Sequence, residues 1–470
     1  MDVGTACLPL MPQLGCSSVV DEEENMLAKI KVVSFLAFFS LLLLGTPAGA
    51  HDDEPGSFEA LAALQVAEFE GVVATNANAR SNAPSTFAPC IMGMAADTYP
   101  CDGIDMWSHL TPAELGLSFV NDIWGWTDPT TGDDYALIGG GEGLVVVDIS
   151  DPKRPDVIGI LPTKTTGRFL WRDVKVLGNH AYVVSEDPGH GMQVLDLSTV
   201  TDIEGDPVPL TETAHYSEFG NAHNVFVNTD TAYAYAVGTD TCAGGLHMVD
   251  LSDPVNPGFA GCFSDHAYIH DTQCVIYEGP DPDHQGREIC LSSAADASGG
   301  FPPFNTVSVV DVTDKSNPVA ISRVDYDVDG YSHQGWLSPD QRYFFHNDEL
   351  EELFQGTPTI TRIWDMTDLD NPTLLAEVEH DNTSIGHNAY TEGRHLYASN
   401  YTSGLRIYDI TDAGAGVLPE VAFFDVYPEN DNTSFEGGTW SNYPYFKQPN
   451  VVAVSSMDRG LFLLKPRIGS

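Results

Sequence analysis

The sequence predicts an all-β chain, a seven-bladed β-propeller closed by an N-terminal strand. Three observations predict it: a hydrophobic strand ending in Asp that recurs along the chain, a turn after nearly every copy, and a last copy that stops one strand short. The clearest copy is Gly143-Leu-Val-Val-Val-Asp148-Ile-Ser-Asp151-Pro152-Lys-Arg-Pro155. Aliphatic and β-branched residues between a glycine and a polar turn read as a buried strand. Proline then stops ladder pairing, and Asp and Ser side chains bond their own backbone to shape the turn. The pattern returns ending at Asp196, Asp250, Asp311, Asp365 and Asp409, and Leu461–Leu464 is a seventh copy without its turn. The spacing, roughly 45–60 residues, is the period of a four-stranded blade.

Each repeat reads as strand, turn, strand, turn, the Asp-ended strand, a turn and a fourth strand. In the sixth these are Asn388–Thr391, His395–Ser399, Leu405–Ile410 and Glu420–Val426. The central strands are near-continuous apolar runs, as expected where both faces pack on neighbouring blades. Seven repeats fit between about Asn121 and Pro466, and the last ends on its third strand. Ile104–Leu110, just before the first repeat, is the candidate for the missing outer strand, and that closure removes an exposed edge.

Ahead of the repeats the chain divides into an N-terminal extension (1–25), a signal peptide (26–50) and a linker (51–86). Met26 is the expected initiator. Lys29 and Lys31 precede the apolar run Val32 to Leu44, and Ala48-Gly-Ala50 supplies a small-residue cleavage pattern. That is a secretory signal, and its apolar run is short for a bilayer span. The mature chain is expected to start near His51, without a transmembrane helix, in an extracellular or periplasmic location. The propeller is expected over 87–466, with a tail at 467–470.

Export makes disulfides expected. Cys90 and Cys101 bracket a short loop. Cys274 and Cys290 lie on two apolar runs joined by a Gly-Pro-Asp-Pro-Asp loop, a hairpin that sets them opposite each other; Cys242 and Cys262 remain as the third pair. Six cysteines permit fifteen pairings, so local pairing is a preference.

The charge balance is one-sided: 68 acidic residues against 20 basic, a formal net charge of −48. That excludes a general nucleic-acid binder, which needs cations to replace counterions along the phosphates. It fits a protein kept soluble in salt. No phosphate loop, zinc-protease helix or Gly-x-Ser-x-Gly elbow is present. The Asp-x-Ser/Thr-Asp turns lack the ligand spacing and closing glutamate of a calcium loop and read as structural.

The recurring Gly-Leu-Val-Val-Val-Asp-Ile-Ser-Asp-Pro resembles the LVIVD repeat. Asn121-Asp-Ile-Trp-Gly-Trp126, Asp134-Tyr-Ala-Leu-Ile-Gly-Gly140, the Cys90…Tyr99-Pro-Cys101 loop, Gly438-Thr-Trp-Ser-Asn-Tyr-Pro444 and Met457-Asp-Arg-Gly-Leu-Phe462 resemble the choice-of-anchor B family of exported bacterial proteins. The resemblance implies a secreted or surface-held propeller of undefined biochemical role, over roughly residues 87–466. The chain stops at Lys465-Pro-Arg-Ile-Gly-Ser470 with no apolar tail, which predicts free secretion over anchoring.

The first strands of the repeats open alike: Ala222-His223-Asn224, Ile269-His270-Asp271, Ser332-His333-Gln334 and Gly386-His387-Asn388. Alignment gives Arg172-Asp173 in the second repeat, Asn121-Asp122 in the first and Gly438 or Thr439 in the seventh. First strands line the channel of a propeller, so these positions form a ring. The plainer reading is that the pairs are hydrogen-bonding residues tying blade to blade around a wet channel. The alternative is a Zn, Cu or Fe site on His223, His270, His333 and His387. Asp271, Asn224, Gln334 and Asn388 would then orient the imidazoles, and Arg172 would repel the cation unless it turned to a carboxylate such as Asp173. His109, His180, His190, His215, His247, His346 and His395 do not share the ring position and are expected to be surface or strand residues. The leading functional expectation is a binding or scaffold module for a glycan, peptide or surface protein; the alternative is an exported metal-dependent oxidoreductase.

Overall fold

The computed structural model describes residue 67 and residues 87–469, except 168, 296–304, 327 and 329. The extension, signal peptide and linker expected over 1–86 lie outside the described residues, Ala67 apart. Among the described residues the strands form seven sheets. Their inner strands are Val120–Thr127, Arg172–Leu177, Asn224–Asn228, Ile269–Ile276, Ser332–Leu337, Ala389–Glu392 and Thr439–Tyr443, of blades 1 to 7. Each inner strand touches the next, and that of blade 7 touches that of blade 1, so the ring is closed. No helix among the described residues is long and apolar enough to cross a membrane.

The repeat motif builds each blade as its chemistry requires. The strands Asp134–Gly140 and Glu288–Ala294 are buried along their whole length, with blades packed on both sides. The Asp that ends the third strand of blades 1 to 6 folds back on the turn. Asp148 accepts from the Ser150 N–H at 2.8 Å, Asp250 from Ser252 at 2.8 Å, Asp365 from Thr367 at 2.9 Å and Asp409 from Thr411 at 2.9 Å. These carboxylates are therefore engaged by backbone, as in local Asx turns.

Closure takes two steps. Ile104–Leu110 pairs antiparallel with Gly460–Pro466 and forms the outer strand of blade 7. Just before it, Tyr99–Asp102 pairs with Glu420–Phe424 and extends the edge of blade 6, a contact with no counterpart in the repeat pattern. Gly103 makes the crossing with φ +66°, where a Cβ would also sit 3.2 Å from that of Ala422. The Cys90–Cys101 disulfide holds the preceding loop, and Cys242–Cys262 and Cys274–Cys290 form as expected, the last directly cross-strand. Removing the first pair as Cys90→Ser/Cys101→Ser should cost about 3 kcal/mol by loop entropy. Thermal unfolding in non-reducing buffer tests this; an unchanged Tm would show that the pairing of Tyr99–Asp102 suffices alone.

The seam carries a pH dependence. Burial raises the Asp425 carboxyl to about 7, against the bond from the Tyr427 N–H and with Asp431 adding to the rise. In the unfolded chain such a carboxyl ionises near pH ~4. The folded chain thus holds the proton longer, and stability falls as pH rises through the folded value. Asp425→Asn, which keeps an acceptor for Tyr427, should stabilise at mildly alkaline pH on the order of 2–4 kcal/mol and do little in acid, below the unfolded pKa. Equal gains at both ends would refute the assignment.

Candidate functional site

The four ring histidines converge. Imidazole centroids lie 4.2 Å apart for His223 and His270, 4.2 Å for His270 and His333, and 4.3 Å for His333 and His387. In blades 4 and 5 the register slips by one residue at His270 and at His333. A bulge of this kind re-aims a side chain beside a site. The ring is shielded from bulk solvent: the four residues are 2–9% exposed. Tyr331, Tyr401 and Trp440 stand within 4.7–5.2 Å of an imidazole, in an apolar cluster that includes Phe119, Leu170 and Phe435.

Hydrogen bonds fix the tautomers. His270 Nδ1 lies 2.8 Å from the carbonyl of His333, and His387 Nδ1 2.5 Å from that of Trp440. A carbonyl only accepts, so both Nδ1 atoms carry the proton and both Nε2 atoms keep a lone pair. These bonds do tie blade to blade, as the plainer reading expected. They also leave one nitrogen of each ring uncommitted to backbone.

A residue absent from the repeat alignment stands there. Glu349 Oε2 lies 3.7 Å from His333 Nε2, and Oε1 3.7 Å from His387 Nε2. Ligand atoms of His270, His333 and Glu349 all fall within 4.8 Å of one another. A tetrahedral ion with bonds of about 2.0–2.1 Å sets its donors about 3.3–3.4 Å apart. Both histidine–Glu349 pairs are therefore within a few tenths of an ångström of coordinating spacing. Tyr401 donates to Glu349 at 2.8 Å. The spur carrying Glu349 is rigid: Asp348 accepts from the N–H groups of Tyr331, Leu350 and Glu351 and from the Tyr326 hydroxyl. Arg362 grips Glu351 through both terminal guanidinium nitrogens, at 2.8 and 2.5 Å.

His223 belongs to a different pair. Its Nδ1 lies 2.6 Å from Glu186 Oε1. Burial opposes its protonation, but Glu186, with Glu349 and Asp271 adding to it, outweighs burial and leaves its pKa raised. Burial instead drives the other three down, His387 to about 3, so they are neutral imidazoles. Glu186 and Glu349 share one repeat position, the residue after the second strand, filled elsewhere by Gly141, Gly238, Ala295, Tyr401 and Met457. Aligning that position finds both acids.

The other expected residues fall elsewhere. Arg172 turns away from the ring and from Asp173, bonding the Gly140 carbonyl, Thr163 and His190. His190, expected as a surface or strand residue, is a fully buried loop residue. The seventh ring position is Trp440, where the register slips, in place of Gly438 or Thr439. Asn224 and Gln334 bond backbone of the next blade, at the His270 carbonyl and at Ala389, and Asp271 accepts from the Thr272 N–H. Asn388 is buried beside its histidine. The bonds that orient the imidazoles come from carbonyls and Glu186 instead. Asp173 joins Asp122 and Lys175: the ammonium is 2.5 Å from Asp173 and 3.2 Å from Asp122. Asp281, His284 and Asp370 form a second carboxylate–histidine group, but both Asp281 oxygens accept backbone N–H groups.

The LVIVD repeat model matches residues 132–163, 171–202 and 219–265, and the chain carries LVIVD repeats on a seven-bladed propeller. That fits the resemblance to the choice-of-anchor B family. Among solved structures the chain is similar to the hydrazine synthase of Kuenenia stuttgartiensis, at 13% identity and a TM-score of 0.50, over 74% of this chain and 95% of that one. It is also similar to the β-propeller domain of Myceliophteria thermophila Cps50 (Swd1), at 10% identity and a TM-score of 0.46, over 74% and 97%. The first likeness is one of fold alone. No curated protein matches the chain.

Proposed function

We propose that this chain is an exported binding propeller whose channel is closed at one end by a firmly held first-row metal ion. The observation that carries it is the donor set itself: His270 and His387 with their tautomers fixed by carbonyls, and His333 between them, arranged around the one carboxylate of Glu349. Three neutral imidazoles and a carboxylate suit Zn²⁺, Cu²⁺ or Fe²⁺. His270, His333 and Glu349 form the close group, and His387 stands 3.7 Å from the second oxygen of the same carboxylate; with His387 closing on the ion, four protein donors in a site this buried match a structural centre, which ties blades 4, 5 and 6 at the axis. Three disulfides are compatible with an extracellular or periplasmic location. Metal analysis of protein folded in an oxidising compartment tests the reading. One first-row ion per chain, retained through dialysis, is expected; a metal-free chain that takes up none would overturn it.

A further inference from the structure

Below the histidines the inner strands present further layers to the channel, two residues apart as strand geometry requires. The layer at Asp122, Asp173 and Asp271 is buried or nearly so. The next layer is aromatic in five of seven blades: Trp124, Phe226, Trp336, Tyr390 and Tyr443, with Lys175 in blade 2 and Gln273 in blade 4. All but Tyr390 line an open cavity of about 670 Å³ at the opposite mouth of the channel, joined there by Tyr445. Trp124, Phe226, Trp336, Tyr443 and Tyr445 are half-buried, with Trp124, Phe226 and Tyr443 also packed against the blade cores.

We infer that this mouth binds a neutral saccharide. The inference rests on the reading of the chain as a binding module, and it concerns a different site from the metal. The volume lies within the range of small-molecule pockets. Aromatic faces are apolar and electron-rich, so they favour a ligand with flat C–H surfaces. Gln273 accepts from the Leu337 N–H through its oxygen and keeps its NH2 as a donor, and the Thr391 hydroxyl donates to the Leu337 carbonyl and keeps its lone pairs, so the polar contacts on offer suit a ligand that also carries hydroxyls. A pyranose offers both. Charge argues against an anionic ligand. The Lys175 ammonium is engaged by Asp122 and Asp173 and lies 4.6 Å from the Trp124 ring centroid, so it offers little to an anion. Glu392, at the rim, is exposed.

The test is titration of the full propeller with maltotriose, cellotriose, laminaritriose and chitotriose, followed by tryptophan fluorescence and calorimetry. At least one should bind saturably, with a change in tryptophan emission. Trp336→Ala should weaken that binding about tenfold or more, and Trp336→Phe should recover most of it. An unchanged far-ultraviolet spectrum and metal content in both variants would show the fold intact. If no trisaccharide binds but tetramethylammonium or a peptide binds with Trp336 dependence, the saccharide is overturned and the binding module stands. If none of these probes binds, both readings of this mouth fall. A metal-free chain that takes up no ion yet binds sugar would overturn only the metal centre.

Discussion

Replacing Glu349 by Gln should cut the metal content of the purified protein to below about a tenth, whereas His223→Ala should leave it within about twofold. The two residues lie in one buried cluster, so the contrast separates coordination from general damage. The amide introduced by Glu349→Gln keeps the shape of the side chain and an acceptor for the Tyr401 hydroxyl. What it loses is the anionic donor shared by His333 and His387. His223 commits its Nδ1 to Glu186 and stands outside the set around Glu349. Metal quantification on both variants, with circular dichroism as the fold control, decides the point. Equal loss in both would mean that the whole arc, and not the Glu349 set, holds the ion.

The second large effect is on stability. Arg362→Ala should destabilise the propeller by about 3–5 kcal/mol. The guanidinium is buried against Glu351, reaches Glu377 at 3.1 Å and lies 4.6 Å from the Tyr326 ring centroid. Its removal strands the Glu351 carboxylate, 2% exposed, without its cation. The cost is that uncompensated charge more than the lost pair, since charges taken from water need close partners. Arg362→Met/Glu351→Leu should therefore recover most of the loss. Denaturant midpoints for Arg362→Met, Glu351→Leu and the double variant measure the coupling. A single-variant cost below about 1 kcal/mol would show that the pair is screened. Because Glu351 anchors the spur of Glu349, Arg362→Ala should also weaken metal retention, and the double variant should not restore it fully.

The blades were legible in the sequence because burial on both faces forces near-continuous apolar strands such as Gly143–Asp148, and because each Asp must answer the turn behind it. The cross-strand disulfide Cys274–Cys290 was readable for a similarly local reason, since a hairpin fixes which residues face each other. The strand Tyr99–Asp102 was not, because four residues that include the closing cysteine of the loop and stop at Gly103 carry no period of their own. The histidine arc could be seen because the inner strands align. Glu349 could not be seen from that alignment, since it comes from the end of a second strand and reaches the arc only through the fold. Trp440 was missed because one slipped residue displaces the count. The aromatic mouth was missed because Trp and Tyr in an apolar strand read as core.

X-ray absorption at the metal edge of the purified protein reads the coordination sphere itself. The expected spectrum shows a shell of nitrogen and oxygen donors at about 2.0–2.1 Å if the ion is zinc, with the outer-shell scattering of three imidazoles and without sulfur. A shell holding no imidazole, or one of sulfur donors, would contradict the assignment of His270, His333, His387 and Glu349 as the metal centre of this propeller.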